Sequence, residues 1–254
     1  MVQELNPSPI NPSDSANPDT PRVAVVGAGY WGKNLLRNFN SLGALAAICE
    51  NNEERRNLAV ANYPGVHCFS SPEEMAESSL IDAVAISTPA VTHASLSRLF
   101  LNAGKHVFVE KPLCLKAEEG RSLGELSAKV DLVLMVGHLL LYHPAFRALR
   151  KFVAEGSIGK LRYIYSNRLS LGKVRTEENA LWSFAPHDIS MILSLAGRLP
   201  ETVTAMGAHY ITDGVADTTL SHFSFSDDLQ AHIHVSWLHP YKDHRLVVTG
   251  SSGT

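Results

Sequence analysis

The chain has only 3 cysteines in 254 residues, and Cys49, Cys68 and Cys114 form no CxxC pair. An odd, scattered set excludes a disulfide framework and gives a zinc site no starting point, so a reducing cytoplasm is the expected setting. Charge of one sign is also missing. With 22 Lys and Arg against 25 Asp and Glu, the net charge is -3, whereas a protein gripping nucleic-acid phosphates is usually basic, so nucleic acid is not an expected partner. Long apolar runs are absent: stretches such as Leu132 to Val136 and Leu139 to Tyr142 fall far short of the roughly 20 residues that span a bilayer. No basic and apolar signal pattern opens the chain, and no membrane partner is expected.

What is present is a core: 45% of residues are hydrophobic and 19% charged, as in a soluble globular protein long enough for two modest domains. Residues 1–21 carry Pro7, Pro9, Pro12, Pro18 and Pro21 among Ser, Asn and Asp, and are expected to be a disordered tail. From Arg22 to about Leu140, short apolar runs alternate with helical spacing. This pattern predicts an α/β Rossmann domain with a doubly wound parallel sheet over 22–140. Beyond it, consecutive strand-like segments at 160–171, 202–211, 217–225, 230–238 and 244–249 predict an α+β domain over 141–254 with an open, mostly antiparallel sheet. Ala185 to Leu195 reads as a helix with Pro186 near its start and His187-Asp188 in its first turn. The final Gly250-Ser251-Ser252-Gly253 reads as a turn with no returning strand, so this domain is expected to be incomplete.

The strongest motif is Gly27-Ala28-Gly29-Tyr30-Trp31-Gly32, between an apolar strand and a helical segment. A GxGxxG in this setting allows a tight turn, a close approach of backbone to a pyrophosphate, and a helix N-terminus that attracts the anion. Glu50 ends the next apolar run, 18 residues after Gly32, near the separation of about 20 at which a carboxylate accepts from the adenosine ribose hydroxyls. NAD is therefore expected rather than NADP. Arg55 and Arg56, one helical turn on, read as a solvated helix face, with a 2′-phosphate as their alternative use. Thr88 and Pro89 end another strand on the same sheet edge and are candidates for the nicotinamide half of the cofactor. His93 follows early in the next helix and is a cofactor-side candidate, although capping and packing account for it with no further assumption and a structural role is preferred to a catalytic one. The run His106-Val107-Phe108-Val109-Glu110-Lys111-Pro112 places Glu110 and Lys111 at a strand end facing the same crevice.

With the segment from Val23 to Gly32, Ser87-Thr88-Pro89, His93 and Glu110-Lys111-Pro112 in this order, the chain resembles the Gfo/Idh/MocA oxidoreductases. The resemblance covers about Arg22 to Thr254 and implies a Rossmann domain followed by an open-sheet domain carrying substrate contacts and often an oligomer interface. Segments 137–144, 163–172, 174–179 and 182–188 are similar more narrowly to bacterial nucleotide-sugar 3-dehydrogenases of the UDP-N-acetylglucosaminuronate type. Those enzymes serve surface polysaccharide synthesis. The family pattern has an Asp four residues before the catalytic His; Ser183 stands there in this chain, so an Asp-His pair is not assumed.

The resemblance implies an NAD-dependent dehydrogenase acting on CH-OH groups. Hydride leaves a sugar carbinol carbon while His187 takes the hydroxyl proton and Lys111 stabilises the developing alkoxide, the reverse assignment remaining open. His138, Arg168, Lys173, Arg175, Asn179 and Asp188 are the remaining substrate candidates, Arg being suited to carboxylate or phosphate. Glu110 orients the lysine. His232 and His234 share a strand face, with His222, His239 and His244 nearby, but no carboxylate spacing completes a metal site. The expected partners are a UDP-sugar and further copies of the chain, as a dimer or tetramer through the C-terminal sheet. A non-catalytic NAD-binding protein, an unstable truncated homologue, and a dehydrogenase of another sugar or cyclitol are the alternatives.

Overall fold

The computed structural model describes residues 20–171, 174 and 178–254. The expected disordered tail lies, but for its last two residues, outside them. Two compact units divide the chain, the first ending at Gly137 and the second running His138–Thr254.

In the first unit β1 (Val23–Val26), β2 (Leu45–Cys49), β3 (His67–Phe69), β4 (Ala83–Ile86), β5 (His106–Val109) and β6 (Leu134–Val136) form one sheet in the order β3-β2-β1-β4-β5-β6. All its pairs are parallel. Helices α1 (Gly32–Ser41), α2 (Glu53–Asn62), α3 (Pro72–Glu77), α4 (His93–Asn102) and α5 (Ala117–Lys129) make the connections.

The sequence of β1 explains its place. Val23 and Val25 join Leu36 and Ile48 in one core, while Ala24 and Val26 join Met75, Phe100 and Leu123 in the other. A strand covered on both faces must be apolar at every position, which is why it reads as a continuous run rather than an alternation. Caps sharpen the helix starts: Asn52 accepts from the Arg55 N–H, and the Ser71 hydroxyl accepts from the N–H groups of Glu73 and Glu74. Strand order reverses between β1 and β4, so the carboxyl ends of these strands flank the crevice where open α/β sheets take ligands.

The second unit contains α6 (Pro144–Ala154), β7 (Leu161–Leu171), α7 (Ala180–Ala196), β8 (Thr202–Ala208), β9 (Thr218–Ser224), β10 (Gln230–Ser236) and β11 (Leu238–Gly250). Its sheet runs β11-β7-β10-β9-β8. Three of the four pairs are antiparallel and β7–β10 is parallel. That parallel pair is not read from consecutive strands, because α7 and the β8–β9 pair intervene before β10 returns beside β7. One face, with Ile164, Phe223, Ala231, Ile233 and Val235, packs on Met191, Ile192 and Leu195 of α7. The opposite face carries Tyr163, Tyr165, His222 and His232, all half-buried, and the exposed Met206 and Leu220.

Helix α7 corrects the sequence reading. It begins at Ala180, where Asn179 caps it by accepting from the Trp182 N–H, and Pro186 lies inside it. A proline has no N–H to donate and is favoured in a first turn, so it reads as a helix start. The Asn179 cap sets the true start, which puts His187 and Asp188 well within the helix.

Candidate active site

The first unit assembles its cofactor candidates along the carboxyl edge of the sheet. Gly27 has φ +94°, in the left-handed region that favours glycine. Gly32 is fixed by space: a Cβ there would lie 1.9 Å from the Gly27 oxygen. Above Gly29 a Cβ would meet nothing within 4 Å, so the turn leaves the opening that a pyrophosphate requires. These residues fit a dinucleotide. Tyr30 is 93% exposed beside the turn, and Trp31 is partly exposed at the start of α1. Ser87, which the sequence marked only as part of a strand end, donates its hydroxyl to the Gly27 carbonyl at 2.9 Å.

Glu50 is 4% exposed at the end of β2. One carboxylate oxygen accepts from the Ala28 N–H at 2.9 Å, and the other from the Asn52 N–H at 2.9 Å and from Arg55 at 3.0 Å. Burial pushes this carboxyl up, but the hydrogen bonds from Arg55, Asn52 and Ala28 together outweigh it, and the group is held below the usual carboxylate range. Glu50 thus braces the glycine turn as well as standing where the ribose is expected. Arg55 is its ion-pair partner rather than a purely solvated residue, and Arg56 donates to the Glu50 and Asn51 carbonyls.

At the end of β5, Glu110 accepts from the Trp31 indole N–H at 2.6 Å and from the Lys111 backbone N–H at 3.3 Å. Burial raises the Glu110 carboxyl above its ordinary range, offset in part by the Trp31 and Lys111 hydrogen bonds and by the charges of Lys111 and His93. Lys111 is half-buried, Pro112 is buried and the peptide between them is cis.

His93 takes the structural role preferred for it from the sequence. It is 2% exposed, with Nδ1 2.6 Å from the Pro112 carbonyl oxygen and Nε2 2.8 Å from that of Thr88. Both ring nitrogens face main-chain carbonyls, so the ring braces the turn that follows Lys111. The Thr88 hydroxyl pairs with that of Thr92 at 2.7 Å, and Pro89 is exposed before a short 3₁₀ turn.

The second unit groups a different set. Asp188, expected among the substrate contacts, is 1% exposed and is held by Arg168 through Nε at 2.6 Å and Nη2 at 3.1 Å, with the Ser166 hydroxyl donating at 2.6 Å. Its oxygens are held within this buried group, which fixes the Arg168 guanidinium. Asn179 spends its side-chain oxygen on the helix cap. His187 is half-buried on α7, directly before Asp188 in the chain, Ser183 is buried one turn before it, and His138 is half-buried. Lys173 and Arg175 lie outside the described residues. The Ser166–Asp188–Arg168 group left little trace in the sequence, since β7 and α7 meet only in the folded unit. Among the described residues, no cluster of three or more His, Cys, Asp or Glu has metal-holding geometry, and no helix is long and apolar enough to cross a membrane.

A doubly wound sheet with an intact dinucleotide turn, followed by an open mixed sheet with one helix-covered face, defines a dinucleotide-binding oxidoreductase architecture. Residues 21–138 match the oxidoreductase family with the NAD-binding Rossmann fold, and residues 146–254 match the Gfo/Idh/MocA C-terminal domain. The chain belongs to the Gfo/Idh/MocA family, and its cofactor is NAD.

Among its relatives is a UDP-N-acetylglucosamine 3-dehydrogenase from Acidithiobacillus ferrooxidans, 31% identical over 193 residues, or 76% of this chain and 59% of that protein. An inositol 2-dehydrogenase from Corynebacterium glutamicum is 32% identical over 69% of this chain and 54% of its own length. This chain therefore spans a little over half the length of these two relatives. The crystal structure of a probable dehydrogenase from Thermotoga maritima superposes with a TM-score of 0.84 at 27% identity, covering 91% of this chain and 74% of that one.

Proposed function

We propose that the protein oxidises a secondary hydroxyl of a sugar to a ketone with NAD, the substrate being a nucleotide sugar of the UDP-N-acetylhexosaminuronate class and the position C3. The observation that carries this reading is Lys111, placed by Glu110 and the Pro112 turn on the same sheet edge as the glycine turn. Bound NAD supplies the hydride acceptor. His187 receives the hydroxyl proton, Lys111 holds the oxygen as negative charge develops on it, and the C–O single bond becomes the carbonyl as the hydride departs. Arg168, preset by Asp188, offers a guanidinium for a substrate anion, while Lys173, Arg175 and His138 complete the candidate contacts.

The inositol dehydrogenase relative supports a cyclitol as the second reading. A dimer or tetramer through the open sheet face, a cytoplasmic setting and a place in surface polysaccharide synthesis complete the proposal. Its test is the rise in nicotinamide absorbance with UDP-sugars set against inositols. Lys111→Ala is expected to lower turnover at least 100-fold while NAD still binds in a calorimetric titration; turnover within a few-fold of the unmodified protein overturns the assignment.

A further inference from the structure

Trp31 and Glu110 are 79 positions apart in sequence, yet the indole N–H reaches the carboxylate at 2.6 Å. The two ends of this bond belong to different machinery. Trp31 stands inside the dinucleotide turn, directly before Gly32, whose position is fixed by its contact with the Gly27 oxygen. Glu110 stands at the end of β5, and its second oxygen accepts from the backbone N–H of Lys111. A wall closes the carboxylate on another side: a Cβ at Gly137 would lie 3.1 Å from Glu110 Cδ and Oε2 and from Phe108 Cζ. The carboxylate is therefore confined, and its two oxygens form a path of two hydrogen bonds from the cofactor turn to the main chain of Lys111.

We infer that Trp31 is a positioning residue: its indole latches the dinucleotide turn to Glu110, so that the turn sets the position of Lys111. This rests on the reading of Lys111 as a catalytic residue. A ring that merely filled space would need no donor, whereas this one places its single N–H on a half-buried carboxylate, the kind of charge-assisted bond that fixes geometry. The titratable groups that act on Glu110 are Lys111 beside it and His93 from α4, and neither replaces the link to the turn.

The test pairs Trp31→Phe, which keeps an aromatic ring and removes the donor, with Glu110→Ala. Trp31→Phe alone is expected to lower kcat/KM roughly tenfold and to shift its pH profile, with the thermal midpoint little changed. In the Glu110→Ala background it is expected to cost almost nothing more. Equal losses in both backgrounds overturn the latch in favour of simple ring packing.

A second readout needs no turnover. The emission of Trp31, obtained as the difference between the unmodified protein and Trp31→Phe, is expected to change in one acid titration step that Glu110→Gln abolishes. Absence of that step, or its persistence in Glu110→Gln, overturns the proposal even if Glu110→Ala fails to fold. Turnover retained in Lys111→Ala instead defeats the catalytic reading and leaves the emission step intact, so the two failures are distinguishable.

Discussion

Glu50 and Glu110 follow β2 and β5 on the same carboxyl edge, with β1 and β4 between them, and their surroundings drive them in opposite directions. Around Glu50 burial is outweighed by Arg55 and two backbone N–H groups, whereas around Glu110 burial prevails over the Trp31 and Lys111 hydrogen bonds. The linkage signs follow. The stability from Glu50 is complete above its ordinary value of 4.5 and is lost as pH falls through its lower folded value. For Glu110 the folded value is raised, so its contribution is complete below 4.5 and is lost as pH rises through the folded value. Glu110→Gln keeps an oxygen for the Trp31 N–H and removes the charge that burial penalises. It is expected to raise the thermal midpoint at pH 7.5 by a few degrees, a gain that shrinks towards zero near pH 4. A lower midpoint at pH 7.5 would show that the charge itself is stabilising there.

At the scale of the element, α7 shows where sequence patterns inform and where they stop. Pro186 and the apolar spacing after it identify a helix from Ala185, but the Asn179 cap starts it at Ala180, five residues earlier. The dinucleotide turn was legible because its glycines, strand and helix are contiguous and because a fixed span leads to Glu50. The Trp31–Glu110 and Arg168–Asp188 bonds were not, since only the sheet order and the packing of α7 on β7 bring their members together. The parallel β7–β10 pair escaped notice for the same reason: pairing partners separated by a helix and two strands have no local signature. The Asn179 cap separates two uses of one residue. Asn179→Ala is expected to cost about 1 kcal/mol of stability, measured by denaturant unfolding, and Asn179→Asp to restore most of it. If Asn179 also binds substrate, Asn179→Asp recovers stability while the KM for the sugar stays raised; recovery of both marks it as a cap alone.

For the molecule as a whole, three histidines of the second unit's sheet, two on its open face and one under α7, link stability to acid. His232 stacks on Tyr165 with ring planes 8° apart, meets the Tyr163 hydroxyl at 2.5 Å, and lies in register opposite His222. Burial, then the neighbouring His222 and His234, lower its pKa from 6.5. His234 is lowered by burial and His239; His244, on the helix-covered face where its ring meets Phe184 of α7, is lowered chiefly by burial and Arg168. A depressed histidine binds fewer protons folded than unfolded, so the stability it supports is complete above 6.5 and is lost as pH falls towards the folded value. Trp237, 1% exposed in the core under this sheet, reports the unfolding of the unit. Its emission is expected to give a midpoint that drops as the pH is lowered from 7.5 to 5.5, with a smaller drop in His232→Gln, which removes one of the three rings whose pKa is lowered. Protein concentration must be matched across the series, because association of copies would itself raise the midpoint by mass action. An equal drop in His232→Gln would place the acid sensitivity on His234 and His244, and a flat profile would show that burial of these rings imposes no proton linkage.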